Sequence, residues 1–158
     1  GRGENQGINE NNLRRIRESM SDVINSSRGT AYGSRITEVA MKMAGKTGTS
    51  QVRRITAEER AKGVTSNADL PWERRDHALF VSFAPVDNPR FAVAMIVEHG
   101  GGGSAAAAPI ARDIMLQALY DGEPPLSAYP SNVRGKIQEQ QRKIRERIPP
   151  GSHGLERA

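Results

Sequence analysis

The sequence contains no cysteine, which excludes disulfides, thiolate metal sites and a cysteine nucleophile and is compatible with any redox compartment. Aromatic residues make up only 4% of it, and mean hydropathy is −0.62. Core material is therefore scarce, and the apolar residues concentrate between Ile36 and Leu119. No apolar run approaches the roughly 18 residues that a membrane-spanning helix needs. The opening "GRGENQG" is no signal peptide. Nothing in these residues is expected to cross or enter a membrane.

What is present suffices for one modest domain: 158 residues, 36% apolar and 26% charged. The net charge of +5 comes from 23 basic and 18 acidic residues, a balance that points toward an anionic partner. Its placement weakens that reading. Residues 134–147 hold six basic and two acidic residues, so one solvated tail accounts for most of the excess. A nucleic-acid surface would interleave aromatic stacking residues with these charges, and residues 134–147 contain none. Nucleic acid is therefore not expected as a partner. Anionic lipid or a partner helix remains open for this tail, although a charged helical face is usually only solvated.

Along the chain, Leu13, Ile16, Met20, Val23 and Ile24 recur at spacings of three and four. This predicts an amphipathic helix capped by Asn9 or Asn11 and ending near Asn25. The glycines and hydroxyls of "SSRGTAYGS" predict a loop. Val39, Met41 and Met43 alternate, predicting a strand from Val39 that carries "GKTGTS". Residues 53–75 read as a long polar excursion, the kind of loop that is functional or mobile. "HALFVSFAP" and "RFAVAMIVEHG", separated by "VDNP", predict a hairpin over residues 77–99. Both faces of each run are largely apolar, as in central strands covered by helices on both sides. "GGGGS" reads as a flexible hinge with a capping serine, Ser104. It leads into a helix over 104–121 that lays Ile110, Ile114, Met115 and Leu119 on the sheet and stops at Asp121-Gly122. Beyond it, Val133, Ile137, Ile144 and Ile148 mark one side of a charged helix.

The tripeptide Lys46-Thr47-Gly48, followed by Thr49, is weak evidence alone. Its setting is more specific: a strand, a long loop, a hairpin, a glycine run and a sheet-covering helix, in that order. That order resembles the C-terminal half of the penicillin-binding protein transpeptidase domain, the fold shared with serine β-lactamases. "MSDVINSSRGTAYG" before the motif and "RDHALFVSFAPVDNPRFAVAMIVEHGGGGSAAAAPIARDIM" after it are similar to the penicillin-binding protein 2 family, the class B, monofunctional D,D-transpeptidases of Gram-negative cell elongation. The resemblance covers roughly residues 10–120.

It implies an α+β fold of antiparallel strands covered by helices, with residues 1–122 as the C-terminal part of the transpeptidase domain and residues 123–158 as a polar basic tail. It also implies a chemistry. A serine is acylated by a D-alanyl-D-alanine stem peptide of peptidoglycan, or by a β-lactam that mimics it, and the acyl group passes to an amine. Small residues let the substrate lie along the strand as an added strand. By the resemblance, the Thr47 and Thr49 hydroxyls hold the substrate carboxylate beside Gly48. The Thr49 backbone N–H supplies one oxyanion donor, and Lys46 presents positive charge and hydrogen-bonds a second serine. No cofactor and no metal are implied. The glycan polymerase and scaffold proteins of the elongation machinery are the implied partners, and the periplasmic face of the inner membrane, by an N-terminal anchor, is the implied location.

The family also needs Ser-x-x-Lys and Ser-x-Asn, and neither occurs: Ser19 leads to Asp22, Ser50 to Arg53 and Ser131 to Arg134. The chain is expected to be a C-terminal piece that lacks the nucleophile and is inactive alone. A β-lactam sensor domain of the same fold, which acylates without transferring, is the alternative reading. His77, His99 and His153 have no partners at ligand spacing and read as structural hydrogen-bonders. Trp72 either pins its loop or leans over the cleft.

Overall fold

The computed structural model describes residues 7–147, so Ile148 and His153 lie outside the described residues. Helix α1, Glu10–Asn25, begins where the Asn9 side chain accepts from the backbone of Asn11 at 2.9 Å, satisfying one of the free donors of the first turn. Its apolar stripe is used unevenly. Ile24 is fully buried, whereas Leu13 and Ile16 stay exposed at the other end. The helix ends at Asn25 with Ser26 as its C-cap, and Gly29 just beyond lies so close to it that a Cβ there would stand 2.4 Å from the carbonyl oxygens of Asp22 and Val23. The chain can therefore fold back tightly, and Ala31 N–H donates to the Val23 carbonyl.

Three strands form one antiparallel sheet in the order β1-β2-β3: β1 Ala44–Ser50, β2 His77–Ala84 and β3 Phe91–Val97. Thr47 stands opposite Phe80, and Phe80 opposite Met95, so these three share a face. That face meets α1 and the long helix α3, Ala108–Tyr120. Ile24, Ile36, Met43, Phe80, Met115 and Leu116 are fully buried there, each worth about 1.5–3 kcal/mol of apolar burial. Asn25 locks helix to sheet by donating from Nδ2 to the Met43 carbonyl at 3.0 Å.

Several expectations are corrected. The strand begins at Ala44, not Val39. Val39–Met41 is a 3-10 turn closed by Met41 N–H on the Glu38 carbonyl, and Val39 is 71% exposed. The alternation misled because the turn shifts the facing of residues within it, leaving Ile36 and Met43 as the buried pair. Among the described residues only β2 is central; β3 pairs on one side alone. Among the described residues helices do not cover both faces either. Ile96 is 64% exposed on the face opposite Phe80, and Val81 is exposed beside it. An apolar residue on a strand states only that it can be covered, not that this chain covers it.

The glycine run is not a free hinge. Gly103–Ala107 forms a π-helical turn packed on the sheet, with Gly103 and Ala107 buried, and Ser104 makes no side-chain cap. Helix α3 buries Ala108, Ala111, Arg112, Met115, Leu116 and Leu119, while Ile110 and Ile114 are 43% and 45% exposed. Met115 and Leu119 face the core as expected, but alanines take the places expected of Ile110 and Ile114 because they let the helix approach closely. The helix does stop at Asp121, which takes the left-handed conformation.

Residues 53–75 are more ordered than an open excursion. Helix α2, Ala57–Lys62, starts with a reciprocal capping box between Thr56 and Glu59. Asp76 closes the loop, accepting from Asn67 Nδ2 at 3.1 Å and from Val52 N–H at 3.4 Å. Its carbonyl also accepts from Gly101 N–H. His77 is structural, since its Nδ1 accepts from His99 N–H at 2.9 Å. Trp72 packs at a tilt of 58° against the His99 ring, with centroids 4.5 Å apart, which pins the loop.

The segment after Gly122 is not a solvated tail along its length. Ala128, Tyr129, Pro130 and Ile137 are buried in the same core, and Thr37 is held to it by N–H on the Ala128 carbonyl and by Oγ1 on the Ser127 carbonyl. Arg112, 3% exposed, pairs with Asp113 and lies 5.1 Å over the Tyr129 ring. Helix α4, Arg134–Arg147, does carry its charge outward. Arg142 bonds Glu139 and Glu146, holding the Glu139 carboxyl down at about 2.

Candidate active-site edge

β1 is the outer strand, hydrogen-bonded to β2 on one side, and no other strand among the described residues pairs with its far edge. It pairs antiparallel to β2, which lies between it and β3, and so runs in the same direction as β3. Pleating separates its residues by function. Thr47 and Thr49 stand opposite Phe80 and Ala78 and share one face; Lys46 and Gly48 stand opposite Val81 and Leu79 on the other. Lys46 and Thr49 are exposed, Thr47 and Gly48 half-buried.

The side chains are lightly restrained. Lys46 Nζ donates to the Thr47 carbonyl at 2.7 Å. Thr47 Oγ1 lies 3.5 Å from Thr30 Oγ1, in the loop after α1. No carboxylate is paired with Lys46 among the described residues, so the strand presents a cation on one face and two hydroxyls on the other. An anion approaching this edge meets donors without displacing an acidic neighbour.

The backbone here is kept thin. A Cβ on Gly45 would stand 2.7 Å from Phe80 Cζ and 3.1 Å from Ile24 Cδ1, so glycine lets α1 close on the strand. The close approach to Gly48 needs glycine on the other partner: a Cβ on Gly103 would stand 2.3 Å from the Leu79 carbonyl and 2.7 Å from that of Gly48. The π-helical turn thus backs the strand directly. Gly103 and Thr30 are the neighbours that the sequence alone did not identify. The glycine run signalled Gly103, but as freedom rather than contact, and no local signal marks Thr30.

A cavity of about 560 Å³ lies elsewhere, between α3 and α4, lined by Asp113, Tyr129, Ile137 and Ile144 among others. Burial raises the Asp113 carboxyl and, with the Asp113 charge, pushes Tyr129 up to about 12. None of the strand residues faces it.

This edge has counterparts in known proteins. The model of the penicillin binding protein transpeptidase domain matches residues 3–116. Peptidoglycan D,D-transpeptidase MrdA of Haemophilus influenzae is 35% identical over 120 residues, covering 76% of this chain and 18% of the relative. The MrdA of Acinetobacter baumannii is 44% identical over 93 residues, 59% of this chain and 13% of the relative. A solved complex between Penicillin-Binding Protein (PBP2) and MreC from Helicobacter pylori superposes with a TM-score of 0.55 at 30% identity, over 72% of this chain and 18% of that one. The chain thus spans less than a fifth of the length of these relatives. A family match over most of the chain, relatives that agree in sequence, and a sheet order with a free lysine-threonine-glycine edge converge: the chain belongs to the penicillin-binding protein transpeptidase family.

Proposed function

We propose that β1 is the substrate-binding edge of a serine-type D-Ala-D-Ala transpeptidase that cross-links peptidoglycan stem peptides during cell elongation and is a target of β-lactams. The observation that carries this is the unpaired outer edge of β1, with Thr47 and Thr49 on one face and Lys46 on the other. The donor peptide adds to the edge as a strand, and its C-terminal carboxylate takes hydrogen bonds from the Thr47 and Thr49 hydroxyls. Thr49 N–H points one donor at the carbonyl under attack, where an oxyanion donor is worth about 2.7–4 kcal/mol. The nucleophilic serine, which is not among these residues, attacks that carbonyl. The bond to the terminal D-alanine breaks with that residue leaving as its amine, and a second amine then takes the acyl group and releases the serine. Lys46 supplies positive charge to the network that moves these protons.

The relatives are named as D,D-transpeptidases, which favours transfer over a sensor that only acylates. Release of cross-linked product from a full-length protein given donor and amine acceptor peptides tests it; a stable acyl-enzyme with no transfer supports the sensor. The Helicobacter complex with MreC supports a scaffold protein as partner; a glycan polymerase as a further partner and a reaction at the periplasmic face of the inner membrane belong to the same proposal.

A further inference from the structure

The loop that follows α1 is anchored on both sides of Thr30. Ahead of it, Asn25 Nδ2 donates to the Met43 carbonyl at 3.0 Å, just before β1 begins, and Gly29 N–H donates to the Ser26 carbonyl at 2.8 Å. After it, Ala31 N–H donates to the Val23 carbonyl at 3.0 Å, and Ala31 is buried. Thr30 itself is exposed between these anchors, and its Oγ1 stands 3.5 Å from Thr47 Oγ1. That separation exceeds the roughly 2.5–3.0 Å of a closed O–H···O bond, and neither hydroxyl has a shorter hydrogen bond among the described residues. Both protons are therefore free for a third oxygen. Two donors at this separation meet on one acceptor when each bond is about 2.7 Å and the angle between the bonds is about 80°.

We propose that Thr30 is a third hydroxyl donor to the C-terminal carboxylate of the donor peptide, sharing one carboxylate oxygen with Thr47. This rests on the reading of β1 as the substrate edge. Thr47 and Thr49 lie on one face of the strand, about 7 Å apart along it at about 3.3 Å per residue, so a carboxylate between them gives one oxygen to each hydroxyl. A carboxylate accepts about four hydrogen bonds, which leaves the oxygen beside Thr47 room for a second donor. Thr30 is the hydroxyl placed there, brought by a different element and held by its backbone anchors rather than by the strand. A free carboxylate is present before and during acylation alike, so Thr30 contributes to affinity and to selection of free-acid peptides and takes no part in bond making.

The test uses the full-length protein and one D-Ala-D-Ala peptide in two forms, with a free C-terminal carboxylate and as its C-terminal amide. Thr30→Val keeps the branched shape and removes the hydroxyl; it should weaken equilibrium binding of the acid about ten-fold, as for a lost hydrogen bond to a charged group, and leave the amide nearly unchanged. Thr30→Ser should restore the acid preference. In a Thr47→Val background the further change Thr30→Val should cost a different amount than it does alone, because the two hydroxyls share one oxygen. Thermal melting should show all variants folded. Wild-type binding of the acid by Thr30→Val, equal weakening of both peptides, no rescue by serine, or strict additivity with Thr47→Val overturns the role of Thr30. Acylation by a small β-lactam is followed in parallel. A wild type that is acylated and prefers the acid while Thr30→Val behaves identically sinks the Thr30 assignment alone, whereas a wild type that is neither acylated nor selective for the acid removes the reading of β1 and this inference with it.

Discussion

Gly103 is fitted against the backbone of Gly48: a single methyl on Gly103 would stand 3.0 Å from the Gly48 nitrogen and 2.7 Å from its carbonyl oxygen. The turn that opens α3 is thereby pressed against the backbone of the strand that carries the lysine-threonine-glycine motif. Position and chemistry of the site are coupled through backbone, with no flexible side chain between them to yield.

That contact gives the first expectation. Gly103→Ala should destabilise the protein by about 1–3 kcal/mol, the range for forcing an extra carbon into packed structure, and should slow acylation because β1 must shift. Gly102→Ala is the comparison, since nothing lies within 4 Å of its Cβ position. Thermal melting of both variants checks it, and equal melting temperatures would sink the claim that the turn supports the strand.

Replacing Thr49 by alanine removes a hydroxyl and leaves the backbone donor. A hydrogen bond to a charged group is worth about 1.5–3 kcal/mol, so the second-order acylation rate with one β-lactam should fall roughly ten- to hundred-fold. Lys46→Ala should cost more, because it removes a charge from a shared network. Melting should change little for Thr49→Ala, whose side chain is exposed. Wild-type rates in both folded variants would remove the main physical support for the proposed function.

The chain of residues 1–158 by itself should form no stable adduct with penicillin, because no serine in it has a lysine three residues on to act as base. Intact-mass measurement after incubation is the check. A stoichiometric adduct on any serine would falsify the requirement for an outside nucleophile.

Tyr129→Ala should cost about 3–5 kcal/mol, as for other buried aromatic rings, since Tyr129 is 3% exposed and lies under Arg112. Ile144→Ala, at an exposed position of α4, should cost well under half as much. A tail merely attached to the domain would show no difference between the two in thermal melting.

Local patterns determined a good deal. Spacings of three and four placed α1, with Asn9 one of two candidate caps, turn residues placed the hairpin, and Asp121-Gly122 placed the end of α3, because each signal rests on the geometry of a few consecutive residues. The lysine-threonine-glycine stretch was legible on a strand for the same reason, and pleating then put Thr47 and Thr49 on one face. Tertiary structure alone decided the rest. Whether β3 lies inside the sheet or at its edge depends on which strands are present to pair with it. Ala111 rather than Ile110 faces the sheet because close approach of a helix is limited by volume. Gly103 reads as freedom in one dimension and becomes a contact only when a distant strand arrives beside it, and the burial of Tyr129 likewise depends on Arg112, well before it in the chain. Such long-range contacts leave no periodicity in the chain that makes them.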